Sequence, residues 1–150
     1  MSHTYTSLLF HMVFSTKHRR PIIEAEWRPR LHQYLGGTVR GLDSVALEIG
    51  GMADHVHLLI SMHQNHSVAD FLRDLKANSS KWVNETGLLR SRFEWQRGYG
   101  AFTVSKSQME QVRRYIQHQE KHHRRMTFEE EFIKLLDAHG IEYDLRYVFK

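Results

Sequence analysis

Cysteine is absent from this 150-residue sequence, and there are only two prolines, Pro21 and Pro29. The lack of cysteine excludes disulfides, thiolate metal sites and cysteine nucleophiles, so any metal must bind to nitrogen and oxygen atoms. It is also compatible with a reducing compartment. We therefore expect a cytoplasmic protein whose chemistry relies on other side chains.

Long apolar runs are missing as well. No segment approaches the roughly 20 apolar residues that cross a bilayer. The N-terminal stretch MSHTYTSLLFHMVFST has no basic region leading into an apolar one. The phosphate-binding pattern G-x-x-x-x-G-K-[ST] does not occur either. We expect a soluble, unexported protein with no membrane partner and no nucleotide cofactor.

The excess of positive charge is small. Lysine and arginine number 21 against 17 aspartates and glutamates, which gives a net charge of +4, and there are twelve histidines. This balance permits a polyanionic partner without requiring one. Because 41% of the residues are hydrophobic and no repeat or linker divides the chain, we expect residues 1–150 to form a single domain.

Hydrophobic periodicity predicts four strands and four helices. The strands are expected at 5–15, 44–52, 55–62 and 101–105, and the helices at 24–35, 67–85, 105–125 and 127–139. Gly36 and Gly37 indicate the end of the first helix. Expected N-caps are Ser67, Ser105 or Ser107, and Thr127.

The order βαββαβ followed by two helices is the split-βαβ pattern. It predicts an α+β, ferredoxin-like fold: a four-stranded antiparallel sheet with helices on one face, plus C-terminal helices. We expect the other face of the sheet to be open for function.

The third predicted strand begins with two histidines, His55 and His57, which share the face opposite Val56, Leu58 and Ile60. Side chains at i and i+2 of a strand lie about 6.6 Å apart, close enough for two imidazoles to bind one cation. An isolated H-x-H in a histidine-rich chain is more commonly a pair of partly exposed strand histidines than a metal site. The pair alone therefore does not identify a metal site.

The long C-terminal helix places Tyr115, Gln119 and His122 at i, i+4 and i+7 on one stripe. A tyrosine hydroxyl, with a pKa of about 10, is a poor nucleophile at neutral pH unless nearby cations favour the phenolate. Basic residues surround this stripe: Arg113, Arg114, Lys121, Arg124 and Arg125. Taken singly, Tyr115 also fits an aromatic residue at the core margin, and Gln119 a solvated amide.

Five segments occur in order along the chain: HMVFSTKHRRP, HVHLLIS, DFLRDLKANSSKW, WQRGYGAFTVS and YIQHQEKHH. With them, nearly the whole chain resembles the small single-tyrosine HUH transposases of bacterial and archaeal insertion sequences and their REP-associated relatives. The resemblance implies that Tyr115 is the nucleophile. It also implies that His55, His57 and Gln119 bind a divalent cation, Mg²⁺ or Mn²⁺.

The resemblance further implies the reaction and the partners. A transposase of this family cleaves and rejoins single-stranded DNA at hairpin-bearing element ends through a 5′-phosphotyrosine, and acts as a homodimer. Whether Tyr115 meets the histidines of its own chain or of a partner is open. The candidate DNA contacts are Lys17, Arg19, Arg20, Arg73, Lys76, Arg97 and Arg114.

Two features depart from the family pattern. The segment EKHHRRMTFEEEF contains further histidines without a defined role. Tyr143 and Tyr147 reproduce the Y-x-x-x-Y spacing of two-tyrosine replication initiators, but they follow Gly140 in a short tail, so we expect them to pack rather than to act as nucleophiles.

Two alternative functions stay open. One is a non-catalytic nucleic-acid-binding ferredoxin-like domain, which would need stacking aromatics on its central strands. The other is a metal-dependent phosphodiesterase that uses water and would not need Tyr115.

Overall fold

A computed structural model describes residues 3–150 and contains one antiparallel sheet in the order β2-β3-β1-β4. The strands are β1 (Leu9–Ser15), β2 (Val45–Gly51), β3 (His55–Ser61) and β4 (Gly100–Thr103). The helices are α1 (Arg28–Gly41), α2 (Val68–Thr86), α3 (Met109–Gln117), α4 (Gln119–His122) and α5 (Phe128–Ala138). The predicted α+β, ferredoxin-like fold is confirmed, although β1 begins at Leu9 rather than at residue 5. Over residues 3–150, none of the helices combines the length and apolarity of a membrane span.

The main core lies between one face of the sheet and helices α1 and α2. Side chains at alternate positions of β3, namely Val56, Leu58 and Ile60, are buried there, because successive strand residues point to opposite faces. Helix α2 begins where predicted, with the Ser67 hydroxyl accepting a hydrogen bond from the Asp70 backbone N–H. These two helices support the sheet from behind the site described below.

Helix α1 differs from the prediction at both ends. It begins at Arg28, with Pro29 in its first turn, and continues through Gly36 and Gly37 to Gly41. Each interior glycine costs about 1 kcal/mol relative to alanine. The complete burial of Leu35 and Val39 in the main core offsets that cost, so the two glycines do not end the helix.

The second face of the sheet is covered by the C-terminal helices, so the prediction of an open face is wrong. Val13 of β1 and Phe102 of β4 pack against Phe128 and Leu136 of α5. Helical periodicity showed that these helices have an apolar side, but it did not show which surface buries that side. Covering this face encloses the strand histidines.

A glycine allows α3 to approach the sheet closely. A Cβ atom added to Gly50 of β2 would lie 2.5 Å from the backbone oxygen of Ile116. No side chain larger than hydrogen fits there without a backbone shift. The glycine therefore fixes the height of α3, and with it Tyr115, above β2.

The predicted helix at 105–125 is divided. A 3₁₀ turn, Lys106–Gln108, follows Ser105, and His118 has non-helical dihedral angles (φ −105°, ψ 28°) between α3 and α4. Gln119 directly after this break is buried. Helix α5 begins as predicted, with a capping box in which Thr127 and Glu130 exchange hydrogen bonds.

Candidate functional site

His55 and His57 lie on the covered face of β3, and neither is exposed to solvent. The Nδ1 atom of His55 is 2.7 Å from Oδ1 of Asp54. The Nδ1 atom of His57 is 2.8 Å from Nε2 of His11 on β1. Because each Nδ1 has a partner outside the site, both imidazoles turn Nε2 toward the interior under the C-terminal helices.

A glutamate from α5, Glu131, lies between these histidines and is 1% exposed. Its Oε1 is 2.9 Å from Nε2 of His57, 3.3 Å from Nε2 of His55 and 2.9 Å from Nε2 of His123. The other oxygen, Oε2, accepts a hydrogen bond of 2.9 Å from the Gln119 amide. One carboxylate thus connects the strand histidines with the C-terminal helices.

Tyr115 of α3 is close to the same carboxylate. Its hydroxyl donates a hydrogen bond to Oε2 of Glu131, and its ring stacks on His122 at a centroid distance of 4.6 Å. The Gln119 side-chain oxygen is 2.9 Å from Nε2 of His55. Tyr115, His55, His57 and Gln119, singled out from the sequence, therefore converge within one chain.

Three side chains of this site could together hold a metal ion. One ligand atom from each of His55, His57 and Glu131 lies within 4.8 Å of the other two. Two neutral imidazole nitrogens and a carboxylate oxygen are donors that divalent cations accept in proteins. The residues present therefore fit the divalent metal that the resemblance implies.

The buried charges shift the pKa values of the site in opposite directions. Burial and the Glu131 carboxylate raise the pKa of Tyr115 well above its usual range. Burial opposes ionisation of Glu131, but hydrogen bonds from His123, His55 and His57 outweigh it and hold the pKa of Glu131 well below its usual range. The metal-free site thus contains an ionised carboxylate and a neutral phenol.

The histidines differ from each other. Burial lowers the pKa of His55, but hydrogen bonds to Asp54 and Glu131 outweigh it and raise that pKa to about 9. For His57 the burial effect prevails, and its pKa falls to about 4. The pKa of His11 falls to about 3 because of burial and the neighbouring His57. At neutral pH the metal-free site therefore holds a charged His55 beside neutral His57 and His11.

Sequence reasoning missed Glu131 and His123 as members of the site. His123 follows Gln119 by four residues, which is a helical spacing that could have signalled it. Glu131 follows Phe128 by three residues, on the apolar side of α5. A carboxylate on the buried side of a helix is rare without a partner, and this was the available signal.

The seven predicted DNA-contacting residues are spread over the molecule. Lys17 forms an ion pair with Glu94, and the Arg19 guanidinium donates a hydrogen bond to the backbone oxygen of Phe149. Arg20 and Arg97 are exposed. These four positions lie outside the cluster around Glu131.

The remaining three have different surroundings. Arg73, on α2, forms ion pairs with Asp70 and Asp74. Lys76 donates hydrogen bonds to the backbone oxygens of Gln96 and Gly98. Arg114, the last of the seven, lines a cavity whose wall also includes Tyr115.

That cavity, called here the basic cavity, has a volume of about 760 Å³. Its lining contains five lysines or arginines and one carboxylate. The lining residues are Gln111, Arg114, Tyr115, His118, Lys121, His122, Arg124, Arg125, Met126, Glu130 and Lys134. Because Tyr115 forms part of its wall, an anion bound there would lie next to the phenol.

The two C-terminal tyrosines lie apart from these contacts. The Tyr143 hydroxyl donates a hydrogen bond of 3.0 Å to Asp137, and its ring packs on the cluster beneath α5, as expected. Tyr147 is 61% exposed, so the expectation that it packs is wrong. Its ring faces the Arg146 guanidinium in the exposed tail instead.

Comparison with known proteins places this geometry in a family. The family described as "Transposase IS200 like" matches residues 4–119. The transposase of insertion sequence element IS200 from Salmonella typhimurium is 32% identical over 124 residues, which cover 79% of this chain and 81% of that protein. The ISDra2 transposase TnpA of Deinococcus radiodurans is 29% identical over 119 residues, covering 75% of this chain and 84% of its own.

Solved structures share the fold. A crystal structure of a transposase from Deinococcus radiodurans R1 aligns with a TM-score of 0.65 at 24% identity, covering 79% of this chain and 95% of that one. A REP-associated tyrosine transposase bound to a REP hairpin aligns with a TM-score of 0.61 at 12% identity, covering 82% and 73%. The extent of the family match and the identity to the IS200 protein show that the chain belongs to the IS200-like transposase family.

Proposed function

We propose that this transposase cleaves and rejoins single-stranded DNA with Tyr115 as its nucleophile. The observation that supports this most directly is the convergence of the Tyr115 hydroxyl with His55, His57 and Gln119 around the buried Glu131. A nucleophile, a set of metal-capable donors and a proton acceptor are the parts that nucleophilic phosphoryl transfer requires.

The Tyr115 oxygen attacks the scissile phosphorus in line. The bond from phosphorus to the 3′ oxygen breaks, that oxygen takes up a proton from water and leaves as a 3′-hydroxyl, and the 5′-phosphate stays on Tyr115. Glu131 Oε2, the acceptor of the Tyr115 hydrogen bond, receives the phenol proton. A Mg²⁺ or Mn²⁺ ion held by His55, His57 and Gln119 would polarise the phosphate and offset its negative charge.

Rejoining is the same step in reverse. A phosphotyrosine diester retains the free energy of the broken bond, so a 3′-hydroxyl can attack it and release Tyr115 without ATP. This accords with the absence of a phosphate-binding nucleotide loop from the sequence.

The basic cavity is the proposed path of the single strand next to Tyr115. Arg114, Lys121, Arg124 and Arg125 offer cations for phosphates, and the stacked Tyr115 and His122 rings offer a surface for a base. Contacts of DNA with Lys17, Arg19, Arg20, Arg73, Lys76 and Arg97 stay predictions.

The proposed substrate is single-stranded DNA with a hairpin. The support is the related fold of the REP-associated tyrosine transposase that is bound to a REP hairpin. A homodimer associated with DNA in the cytoplasm is proposed on the family resemblance. Since each chain holds Tyr115 beside its own histidines, we propose that the tyrosine acts within its own chain.

The test is a denaturing gel of the protein incubated with hairpin-bearing single-stranded DNA and Mg²⁺ or Mn²⁺. We expect a protein-linked DNA fragment from the unmodified chain and none from Tyr115→Phe. Tyr143→Phe is the matched control, because Tyr143 bonds to Asp137 away from the site, and it should form the adduct normally.

Three results would contradict the proposal. An adduct that persists in Tyr115→Phe would exclude Tyr115 as the nucleophile. Cleavage without a covalent species would indicate a phosphodiesterase that uses water. Binding without cleavage would indicate a non-catalytic nucleic-acid-binding domain.

A further inference from the structure

A second cavity shares part of its wall with the basic cavity. It lies between α3, α5 and the segment that follows β4, has a volume of about 550 Å³, and is called here the uncharged cavity. Tyr115 and Gln111 belong to the walls of both cavities. We infer that the uncharged cavity binds one unstacked nucleobase of the DNA strand beside Tyr115. The inference rests on the proposed function in assuming that single-stranded DNA passes this tyrosine.

The two cavities differ in charge. Five lysines or arginines line the basic cavity, whereas none of the described residues that line the uncharged cavity is a lysine, arginine, aspartate or glutamate. A phosphate that entered the uncharged cavity would lose its water without gaining a cation. A nucleobase carries no charge, so it can enter while the adjoining phosphates stay among the cations of the basic cavity.

The walls of the uncharged cavity suit the faces of a base. Apolar surface comes from Val104, Val112 and Leu135. The rings of Tyr115 and His139 border the same space, and the His139 ring is stacked on Phe102 at a centroid distance of 4.3 Å. Bases of single strands pack on such rings whatever their sequence, because every base has an aromatic face.

The polar groups of the walls suit the edge of a base. Gln108 and Gln111 are exposed residues of the wall, and the Gln108 amide forms no capping hydrogen bond with α3. A side-chain amide presents a donor and an acceptor next to each other, which is the pattern on the hydrogen-bonding edges of bases. Apolar walls with a few convergent polar groups are typical of sites for small uncharged ligands.

The position of the cavity determines which base it can hold. A phosphate attacked by Tyr115 is covalently joined to two nucleosides, so the base of one of them can reach a cavity whose wall includes the Tyr115 ring. Enzymes that act on nucleic acids commonly hold an unstacked base in a pocket, and in a single strand no base pair has to be broken first. A base held there would fix the register of the strand relative to the nucleophile.

The first experiment compares strands with and without bases. Short single strands rich in adenine, cytosine, guanine or thymine are added, without metal, to protein labelled with ¹³C in its methyl groups, and NMR follows the signals. An abasic strand of the same length and charge is the control. We expect the Val112 and Leu135 methyl signals to shift with at least one base-bearing strand and not with the abasic strand. The Met126 methyl signal, in the basic cavity, should shift with both.

Two results of this comparison would overturn the inference. One is that no base-bearing strand shifts the Val112 and Leu135 signals. The other is an equal shift of these signals with the abasic strand, since it would show that the cavity responds to the sugar-phosphate backbone.

The second experiment asks whether an amide of the wall contacts the base. A single abasic position is moved along a labelled hairpin strand, and affinity is measured by fluorescence anisotropy in the Tyr115→Phe background, which retains the ring but cannot form the adduct. Loss of the base that occupies the cavity should weaken binding by about 5- to 150-fold. Adding Gln108→Ala should reduce this penalty by about 2- to 10-fold, because one contact with the base is already missing.

Gln117→Ala is the matched control for Gln108→Ala. Gln117 is also an exposed glutamine, on α3, and its amide donates a hydrogen bond to Glu48 away from the uncharged cavity. The penalty should keep its full size in this variant. If no abasic position had a smaller penalty in Gln108→Ala than in Gln117→Ala, the inferred contact would be overturned.

These measurements are independent of DNA cleavage. Base-dependent shifts of Val112 and Leu135 in a chain that forms no adduct would overturn the proposed function alone. A normal adduct from a chain in which these signals do not respond to bases would overturn the inferred base site alone. Where the adduct forms, the base whose penalty depends on Gln108 should flank the cut, and a more distant base would overturn the placement beside Tyr115.

Discussion

The hydroxyl of Tyr115 donates a hydrogen bond to the carboxylate of Glu131, sixteen residues further along the chain. This contact joins the proposed nucleophile to the side chain that also contacts His57 and His123. The carboxylate has two opposite effects on Tyr115. Its negative charge raises the pKa of the phenol, yet its oxygen can receive the phenol proton when the phosphate is attacked.

Glu131→Gln should separate these effects. In the metal-free protein we expect the pKa of Tyr115 to fall toward its usual value, because the substitution removes the adjacent negative charge. Adduct formation should nevertheless slow by about 10²- to 10⁴-fold, since no base remains beside the phenol. The phenolate absorbance, with the Tyr115→Phe signal subtracted, measures the pKa.

Glu130→Gln is the matched control for that prediction. Glu130 is the preceding residue, exposed, and occupied with the Thr127 capping box. It should leave the pKa of Tyr115 unchanged. A Tyr115 pKa that stays the same in Glu131→Gln would show that burial alone causes the shift.

Gly50→Ala should displace α3 from the sheet. The added Cβ would lie 2.5 Å from the Ile116 oxygen, and relieving this clash should lower the free energy of unfolding by about 1–3 kcal/mol. Adduct formation should fall as well, because Ile116 directly follows Tyr115 on α3, so displacing Ile116 also displaces the Tyr115 hydroxyl from Glu131. Urea denaturation and the adduct gel measure the two effects.

Gly37→Ala serves as the comparison for Gly50→Ala. Its added Cβ would be 3.7 Å from the flexible Arg40 side chain, and Gly37 lies inside α1. We expect a gain of about 0.5–1 kcal/mol in stability from helix propensity. If both substitutions changed stability equally, a close approach at Gly50 would not be the cause.

Substitutions in the basic cavity should change the salt dependence of DNA binding. Arg124→Gln and Arg125→Gln each remove one cation from its lining. For every lost phosphate contact, the slope of log affinity against log salt should become shallower by about 0.7 for a single strand. Fluorescence anisotropy with a labelled hairpin strand at several salt concentrations measures the slope.

Arg73→Gln is the contrasting variant, because Arg73 lies on α2 in ion pairs with Asp70 and Asp74. It should leave the slope close to that of the unmodified chain. A larger change in Arg73→Gln than in the cavity variants would place the strand on α2 instead.

His32 should make the protein sensitive to acid. Burial and the nearby Arg28 lower its pKa from 6.5 to about 4. Between these values the unfolded chain binds more protons than the folded one, so stability falls as the pH drops from about 6.5 to 4. Its Nε2 has no hydrogen-bond partner within the part of the chain that the structure describes.

His32→Leu tests this prediction by removing the titrating group from this half-buried position of α1. Urea denaturation at several pH values should show a shallower loss of stability between pH 6.5 and 4, with stability at pH 7 equal or higher. An unchanged pH profile would mean that other groups, such as His11 and His57, account for the whole acid sensitivity.

Local sequence signals predicted several parts of the structure correctly. Alternation in HVHLLIS placed Val56, Leu58 and Ile60 in the core and the two histidines on the opposite face, because a strand has a period of two residues. The Ser67 and Thr127 caps were also readable, since each requires only residues within the first helical turn. The single domain over residues 1–150 stays a prediction.

Other features depended on contacts distant in the chain. Gly36 and Gly37 did not end α1, because the burial of Val39 further along outweighs their low helix propensity. The periodicity of the C-terminal helices likewise did not show which surface their apolar sides would pack against. Only the packing of Phe128 and Leu136 on Val13 and Phe102 covers the second face of the sheet.

By itself, the sequence determined that His55 and His57 share one strand face, because this spacing follows from local backbone geometry. Tyr115 and Gln119, predicted on one helix, lie on α3 and α4, because the helix is interrupted at His118. Only the tertiary structure decided that Glu131 lies between them. Nothing within TFEEE distinguishes Glu131 from the two preceding glutamates except the side of α5 that is buried, and burial is set by the sheet against which the helix packs.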